Sequence, residues 1–407
     1  MTRTLHNRAR SLFPFLLAKN TPAGGSRPSR FTALHLMALA ALLCLSPLAA
    51  RSETIRIAQF NAALSQDGPG LLLKKILAGD DNTVNGIAGI IAHTDPDILL
   101  LNEFDYDSNL VALTAFAEVL REQGVDYPYL FAQPVNSGEP SGLDLNMDGR
   151  TNDAEDAYGF GRFTGQYGLA ILSRYPIDAP AARSFRSLLW RDLPGANLPR
   201  NPDGSSYFSD DVLDRFRLSS KSHWDVPVLV NDRTIHLLAS HPTPPVFDGP
   251  EDMNGWRNHD EVAFWQHYID GTTFTDDQGQ TRAFDGGSFV ILGTLNADPV
   301  DGDGRHDAIR ALLAHPEIQD PLPASEGAAQ SPTHQGQIGP QAQDTTNWPE
   351  TDGPGNLRVD YVLPSRDLTI SDAGGFWPSD AAPEAKLLKS DDGLYSDHIL
   401  VWVELIL

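Results

Sequence analysis

An α/β fold is what this chain predicts, on three observations. From Glu53 onward, short apolar runs of strand length alternate with stretches of helical periodicity, the pattern of strand–helix units. Several of these runs are continuous rather than alternating, as in strands buried on both faces. The clearest, Phe289 to Leu292, breaks at Gly293 into a segment carrying Asn296, Asp298, Asp301 and Asp303. Polar groups then stand at the rim of a core, which is where open α/β sheets bind ligands.

The elements follow in order. Ile55 to Phe60 reads as a strand ending at Asn61, and helical patterning covers Leu71 to Leu77 and Val84 to Ala92. Asp97 to Leu101 is a buried strand closed by Asn102-Glu103, with a helix over Leu110 to Arg121 behind it. Gly168 to Leu172 and Val226 to Val230 are strands, and Ile235 to Ser240 delivers His241 into a proline-rich turn. Arg257 to Ile269 and Asp307 to Ala314 are helical. Arg358 to Leu363 is a strand holding Asp360, and Ile399 to Leu407 closes the chain after Ser396-Asp397-His398. The Gly/Pro/Ser/Gln-rich stretches 195–210 and 322–356 carry little pattern.

Composition bounds the function. Hydrophobic residues make up 41% of the 407, ample for a packed core. The formal charge is −24, and the first 52 residues hold seven of the 30 Lys/Arg and no acid. Without them 23 basic residues face 54 acidic ones, or −31. Such a surface repels polyanions, so tight non-specific binding of nucleic acid is disfavoured. Basic residues up to Arg30, the apolar run Phe31 to Leu48 and the small residues Ala49-Ala50 predict an export signal, 1–52, cleaved near residues 50–52. The apolar run is short and broken by Pro47, which argues against a membrane anchor and leaves no span in the mature chain. Cys44, the only cysteine, lies in the segment to be removed, so neither disulfide nor thiol chemistry is expected. The expectation is a monomeric single domain, 53–407, in the periplasm or medium.

Asn61, Glu103, His241, Asn296, Asp360, Asp397 and His398 all stand at or beside strand ends. Each alone has an ordinary explanation as a cap or turn residue. Together they are the inventory of metal-assisted phosphoryl transfer: a carboxylate for a divalent cation, amides and imidazoles for phosphate oxygens, and an Asp to orient a His.

The order Asn61, Asn102-Glu103, Ser240-His241-Pro242, Gly293-Thr294-Leu295-Asn296, Arg358-Val359-Asp360-Tyr361 and Ser396-Asp397-His398 resembles the endonuclease/exonuclease/phosphatase superfamily over about 55–405. The resemblance implies a four-layer α/β sandwich, two mixed β-sheets face to face with helices outside, and a metal-dependent phosphoesterase acting by in-line attack of water. It implies that Glu103 is the principal ligand of Mg²⁺ or Mn²⁺, with Asn61 and Asp397 near the ion. His398 and Asp360 would be the pair at the scissile phosphate, His241 a second imidazole, and Asn296 the holder of a phosphate oxygen or the water. A secreted nuclease is the alternative within the same resemblance.

One position departs. The family pattern is Gly-Asp-x-Asn, and Thr294 stands where that Asp accepts the water's proton. A hydroxyl is no base near neutral pH, and losing a general base costs about 10²–10⁴-fold. A weakened enzyme, a substituting neighbour such as Asp298, or a non-catalytic binding relative all remain open; Thr294→Asp is expected to raise kcat by about 10²-fold.

Two further stretches stand out. Asp144, Asn146, Asp148, Gly149, Arg150, Asn152 and Glu155 meet the twelve-residue calcium-loop pattern, with Arg150 contributing its carbonyl, and predict a structural Ca²⁺ site. The polar segment from His241 to Ile269 reads as an exposed loop entering an amphipathic helix, with Asn258 or Asp260 as its cap.

Overall fold

The structure, a computed structural model, describes residues 54–332, 336–348, 353–391 and 393–407. The expected leader, its cleavage site and Cys44 lie outside the described residues.

The main strands are β1 (Thr54–Asn61), β2 (Ile98–Asn102), β3 (Tyr129–Phe131), β4 (Leu169–Ser173), β5 (Arg183–Ser184), β6 (His223–Val230) and β7 (Arg233–Ser240). A small hairpin of β8 (Phe274–Thr275) and β9 (Thr281–Arg282) precedes β10 (Ser288–Thr294), β11 (Asp360–Pro364) and β12 (Thr369–Gly375). A second hairpin, β13 (Lys389–Ser390) and β14 (Gly393–Leu394), leads to β15 (Val401–Ile406). One sheet has the order β12-β15-β1-β2-β4-β3, the other β11-β10-β7-β6-β5. Both are mixed: β1 pairs parallel with β2 and β7 parallel with β10, and every other neighbour is antiparallel.

Side-chain alternation divides each strand between two cores. Ile55, Ile57, Ile98, Leu100, Val401 and Val403 of the first sheet pack against Val226, Val228, Leu237, Val290 and Leu292 of the second. The opposite faces carry helices. Ala58, Phe60, Leu99 and Leu101 meet α1 (Leu71–Ala78), α2 (Asn82–Thr94) and α3 (Val111–Glu122). Leu238, Ile291 and Leu363 are in the same core as Phe264 and Trp265, and as Ile309 and Leu312. Those residues lie on α5 (Met253–Ile269), after the short α4 (Asp210–Leu213), and on α6 (His306–Leu313). The order helix, sheet, sheet, helix is the expected four-layer sandwich. Helix α2 shows how the sequence starts an element: the Asp81 carboxylate accepts from the Val84 N–H at 3.0 Å, satisfying a donor the helix cannot.

Two expectations are corrected. The helix after His241 begins at Met253, behind Asp252, rather than at Asn258 or Asp260. Arg257, Asn258, Asp260 and Glu261 are buried, each tied to a loop, instead of lying on an exposed face. Among its described residues the stretch 322–356 carries the helix α7 (Glu326–Gln330) and a 3-10 turn at Gln341–Gln343, and strands β3, β5 and β12 had no expected counterpart.

Candidate active site

On β1 the inward positions run Ile55, Ile57, Gln59, Asn61; on β2 they run Ile98, Leu100, Asn102. β10 runs Val290, Leu292, Thr294, and β11 turns polar at Asp360. The apolar inter-sheet core therefore ends in a polar layer at the C-terminal ends of both parallel pairs. Gln59 Nε2 donates to Asn102 Oδ1 at 2.9 Å, Thr294 Oγ1 at 2.8 Å and Asp360 Oδ1 at 2.9 Å, its two hydrogens shared among three acceptors. Thr294 is fully buried; its hydroxyl donates to Asp360 Oδ1 at 2.7 Å and its N–H to Asn102 Oδ1 at 3.2 Å.

The other Asp360 oxygen leads outward. Asp360 Oδ2 lies 2.8 Å from His398 Nδ1 and accepts from Thr345 Oγ1 at 2.8 Å. Burial works against a charge on His398, but Asp360 beside it, helped by Asp397 and Glu103, holds the imidazole protonated up to about 9. His241 is buried 3% exposed with Nδ1 lacking any hydrogen-bond partner. Burial, then the charges of Lys221 and His398, push its pKa well below the ordinary value, so it is neutral. Two imidazoles on one cleft thus carry opposite proton occupancy at neutral pH.

Glu103 follows β2 with a left-handed backbone (φ 57°), and Asn61 Nδ2 donates to its Oε1 at 3.2 Å. Asn296 is also left-handed (φ 52°) and donates from Nδ2 to the Pro242 carbonyl at 2.9 Å, turning its own carbonyl oxygen away from that contact. Gly293 just before is obligatory, since a Cβ there would sit 1.9 Å from the Ser240 carbonyl oxygen. Asp397 is exposed at the rim, its Oδ2 accepting from Trp348 Nε1 at 2.6 Å, and the Trp348 ring stands edge-on to His398 at 5.5 Å.

These groups open on a cleft of about 1370 Å³ lined by Asn61, Glu103, Lys221, His241, Asn296, Asp397 and His398. Of the expected site residues, Asp360 stands behind His398, and Thr294 faces the buried network instead of the cleft. Asp298 reaches the cleft, but its oxygens accept the N–H groups of Val300, Asp301 and Arg358 at 2.7–2.8 Å, so it organises a loop. Lys221 and Trp348 were not expected. Lys221 sits in a Ser-rich turn and Trp348 in a low-pattern stretch, so neither showed a periodic signal.

An oxygen-donor pair of one carboxylate and one amide suits a hard cation. Among the described residues no three His, Cys, Asp or Glu side chains are placed to hold a metal. Mg²⁺ does not require that, because it keeps several waters and takes one or two carboxylates plus substrate phosphate. Glu103 has the donor chemistry for it; in this arrangement Asn61 turns its NH₂ to that carboxylate and its Oδ1 to the Ala63 N–H at 3.2 Å.

In the calcium-loop motif, Asp144 accepts from the N–H groups of Asp148 and Gly149 at 3.0 and 2.9 Å, and Asp148 from Arg150 at 2.8 Å. Glu155 is exposed and, like Asn146, borders the cleft; among the described residues Asp144, Asp148 and Glu155 do not form a metal-holding cluster.

The profile of the endonuclease/exonuclease/phosphatase family matches residues 58–398. No curated protein matches the chain in sequence. Among solved structures, an endonuclease/exonuclease/phosphatase from Beutenbergia cavernae is 17% identical, covering 87% of this chain and 72% of its own, with TM-score 0.49. A mannosyl-6-phosphatase from Bacteroides thetaiotaomicron is 14% identical, covering 87% of this chain and 100% of its own, with TM-score 0.43. Beta toxin from Staphylococcus aureus, with bound magnesium ions, is 13% identical, covering 86% and 99%, with TM-score 0.42.

Proposed function

The chain belongs to the endonuclease/exonuclease/phosphatase family, and on that premise we propose that it is a metal-dependent phosphoric-ester hydrolase attacking a small phosphoester with water. The observation that carries this reading is the convergence on one cleft of the buried Asp360–His398 pair, the unpartnered His241 and the Asn61–Glu103 pair.

Each group has a distinct task. The His398 imidazolium, its tautomer fixed by Asp360, donates to a phosphoryl oxygen as charge builds there. Neutral His241 and Asn296 can each accept a hydrogen bond and so orient the attacking water, while burial and the charges of Lys221 and His398 make His241 a weak proton acceptor. Glu103, Asn61 and Asp397 would hold Mg²⁺ or Mn²⁺, which when bound neutralises phosphate charge. The side chain at residue 294 faces the buried network and takes no part in this division.

Charge narrows the substrate. Glu155, Asp248, Glu251, Asp301 and Asp303 line the walls, against Lys221 and an Arg257 whose guanidinium is engaged by backbone carbonyls. A polynucleotide would bring many phosphates against these acids. A single phosphate on a neutral or cationic polar group meets far less of that repulsion, and it is the substrate class we assign. No helix among the described residues is long and apolar enough to cross a membrane. The N-terminal pattern supports export to the periplasm or medium, and we assign the monomer as the working form. The motif Asp144 to Glu155 supports a structural Ca²⁺ site that would close when the ion draws Glu155 inward.

The experiment is hydrolysis of a chromogenic phosphodiester and a panel of phosphomonoesters with Mg²⁺ or Mn²⁺, beside Glu103→Ala. We expect activity in the wild type and none in the variant, with the fold unchanged because Glu103 is not a core residue. Equal turnover by both proteins at the same metal concentration removes Glu103 from the metal site. Inertness of both on every ester tried refutes the hydrolase.

A further inference from the structure

Lys221 is an unusual residue to find in a cleft floor. It is 8% exposed, on the turn leading into β6, and lines the cleft with Glu103 and His241. Among the described residues its side-chain nitrogen makes no hydrogen bond and no ion pair. Burial lowers its pKa, and the charges of Glu261 and Glu103 oppose that shift. The nitrogen is not among the enclosed, unpartnered polar atoms, so its side chain is buried while its tip reaches the cleft. A cation placed there is positioned to meet an anion that enters.

Beneath it lies a single carboxylate. Glu261, on α5, is 1% exposed. Its Oε1 accepts from the Ser220 N–H at 2.6 Å and from Ser220 Oγ at 3.0 Å; its Oε2 accepts from the Thr243 N–H at 2.7 Å. One carboxylate thus ties the residue before Lys221 to the residue two beyond His241. The turn entering β6 and the turn leaving β7 are held at a fixed separation by its two oxygens. The neighbouring Arg257 fixes the same turn from outside, donating to the Leu218 and Arg217 carbonyls at 2.8 and 3.0 Å.

We propose that Lys221 is the phosphate-binding cation of this cleft, and that Glu261 is a positioning residue that sets Lys221 and His241 at one spacing. The proposal rests on the phosphoesterase reading for its ligand, but its test does not need turnover. A neutral amide in place of Glu261 keeps the size and one acceptor. It presents an NH₂ group to one of the two backbone N–H donors, so one turn is released while the helix remains.

The test is calorimetric binding of inorganic phosphate to the whole chain in the presence of Mg²⁺, with kcat and KM measured where there is turnover. Lys221→Met, which keeps length and removes charge, should weaken phosphate binding by about 10- to 100-fold, the value of a hydrogen bond to a charged group. Its melting temperature should be unchanged or higher, because an unpaired charge on a buried side chain has gone; Lys221→Arg should recover part of the affinity. Glu261→Gln should weaken phosphate binding and lower kcat together in protein that still melts cooperatively. Phosphate bound by Lys221→Met as tightly as by the wild type overturns the role of Lys221. A Glu261→Gln protein that loses melting temperature but keeps phosphate affinity and kcat overturns the role of Glu261. Wild-type binding of phosphate without turnover on any ester would refute the hydrolase and leave this proposal standing, whereas no phosphate binding by the wild type overturns it.

Discussion

Thr294→Asp restores the acid of the family pattern, and the structure makes its outcome opposite to the sequence expectation. The hydroxyl of Thr294 donates to Asp360 Oδ1 at 2.7 Å in a fully buried position. A carboxylate there replaces a donor by an acceptor and faces Asp360 at close range. At an effective dielectric of about 20, two charges about 4 Å apart repel by about 4 kcal/mol. A buried pair of this kind keeps one proton between its members rather than ionise fully. The raised carboxyl then contributes stability that is present below its unfolded pKa and is lost as pH rises through its folded pKa. We therefore expect Thr294→Asp to melt near the wild type at pH 5 and about 5 °C below it at pH 8, the shift that about 4 kcal/mol makes in a domain of this size. Activity should fall, because a proton shared between the two carboxylates weakens the negative charge that Asp360 presents to His398. Thermal melts at the two pH values, with hydrolysis rates beside them, decide the matter. A variant with wild-type stability at pH 8 and a kcat about 10²-fold higher would refute this reasoning and return residue 294 to the cleft.

Three further outcomes are expected. Burial, then Asp298 and Asp301, raises Asp344 to about 7, so its neutral form stabilises the fold at low pH and that contribution is lost as pH rises through about 7. Asp344→Asn should flatten the fall in melting temperature between pH 5.5 and 8, and parallel wild-type and variant slopes would contradict it. Chelation of Ca²⁺ should lower the melting temperature through the loss of about 2.7 kcal/mol, the linkage term at a hundredfold excess over Kd, and Glu155→Gln should abolish most of that difference. A melting curve indifferent to Ca²⁺ would dismiss the loop. His398→Gln, which keeps a donor and removes the charge, should lower kcat by about 10²-fold or more with a smaller change in KM; a change in KM alone would make His398 a binding group.

Much of this was legible in the sequence. Strand-length apolar runs gave β1, β2, β7 and β10 to within a residue or two, because strands buried on both faces leave a continuous signal. The polar residues at their ends were visible for the same reason. What the sequence could not show was which way each end residue faces. Thr294 and Asn296 are two residues apart, yet the first points into the inter-sheet layer and the second, past a left-handed turn, borders the cleft. Helix α5 misled because its polar residues serve as internal ties: Asn258 donates to the Thr243 and Leu295 carbonyls, and Asp260 accepts from Trp190 Nε1. Amphipathic patterning assigns such residues to solvent, and only tertiary packing assigns them to loops.

The polar layer that caps the inter-sheet core has a mechanical consequence. His398 precedes β15 in one sheet and Asp360 begins β11 in the other, so the pair at the cleft is itself a fastener between the two halves of the sandwich. Gln59 to Thr294, and the Thr294 N–H to Asn102, cross the same seam. Slippage of one sheet over the other by even a fraction of a strand repeat would part Glu103 and His398 from His241 and Asn296 while every strand kept its own ladder. On the proposed hydrolase reading, turnover would gauge how the halves are docked, fading before the ladders do as the seam is loosened.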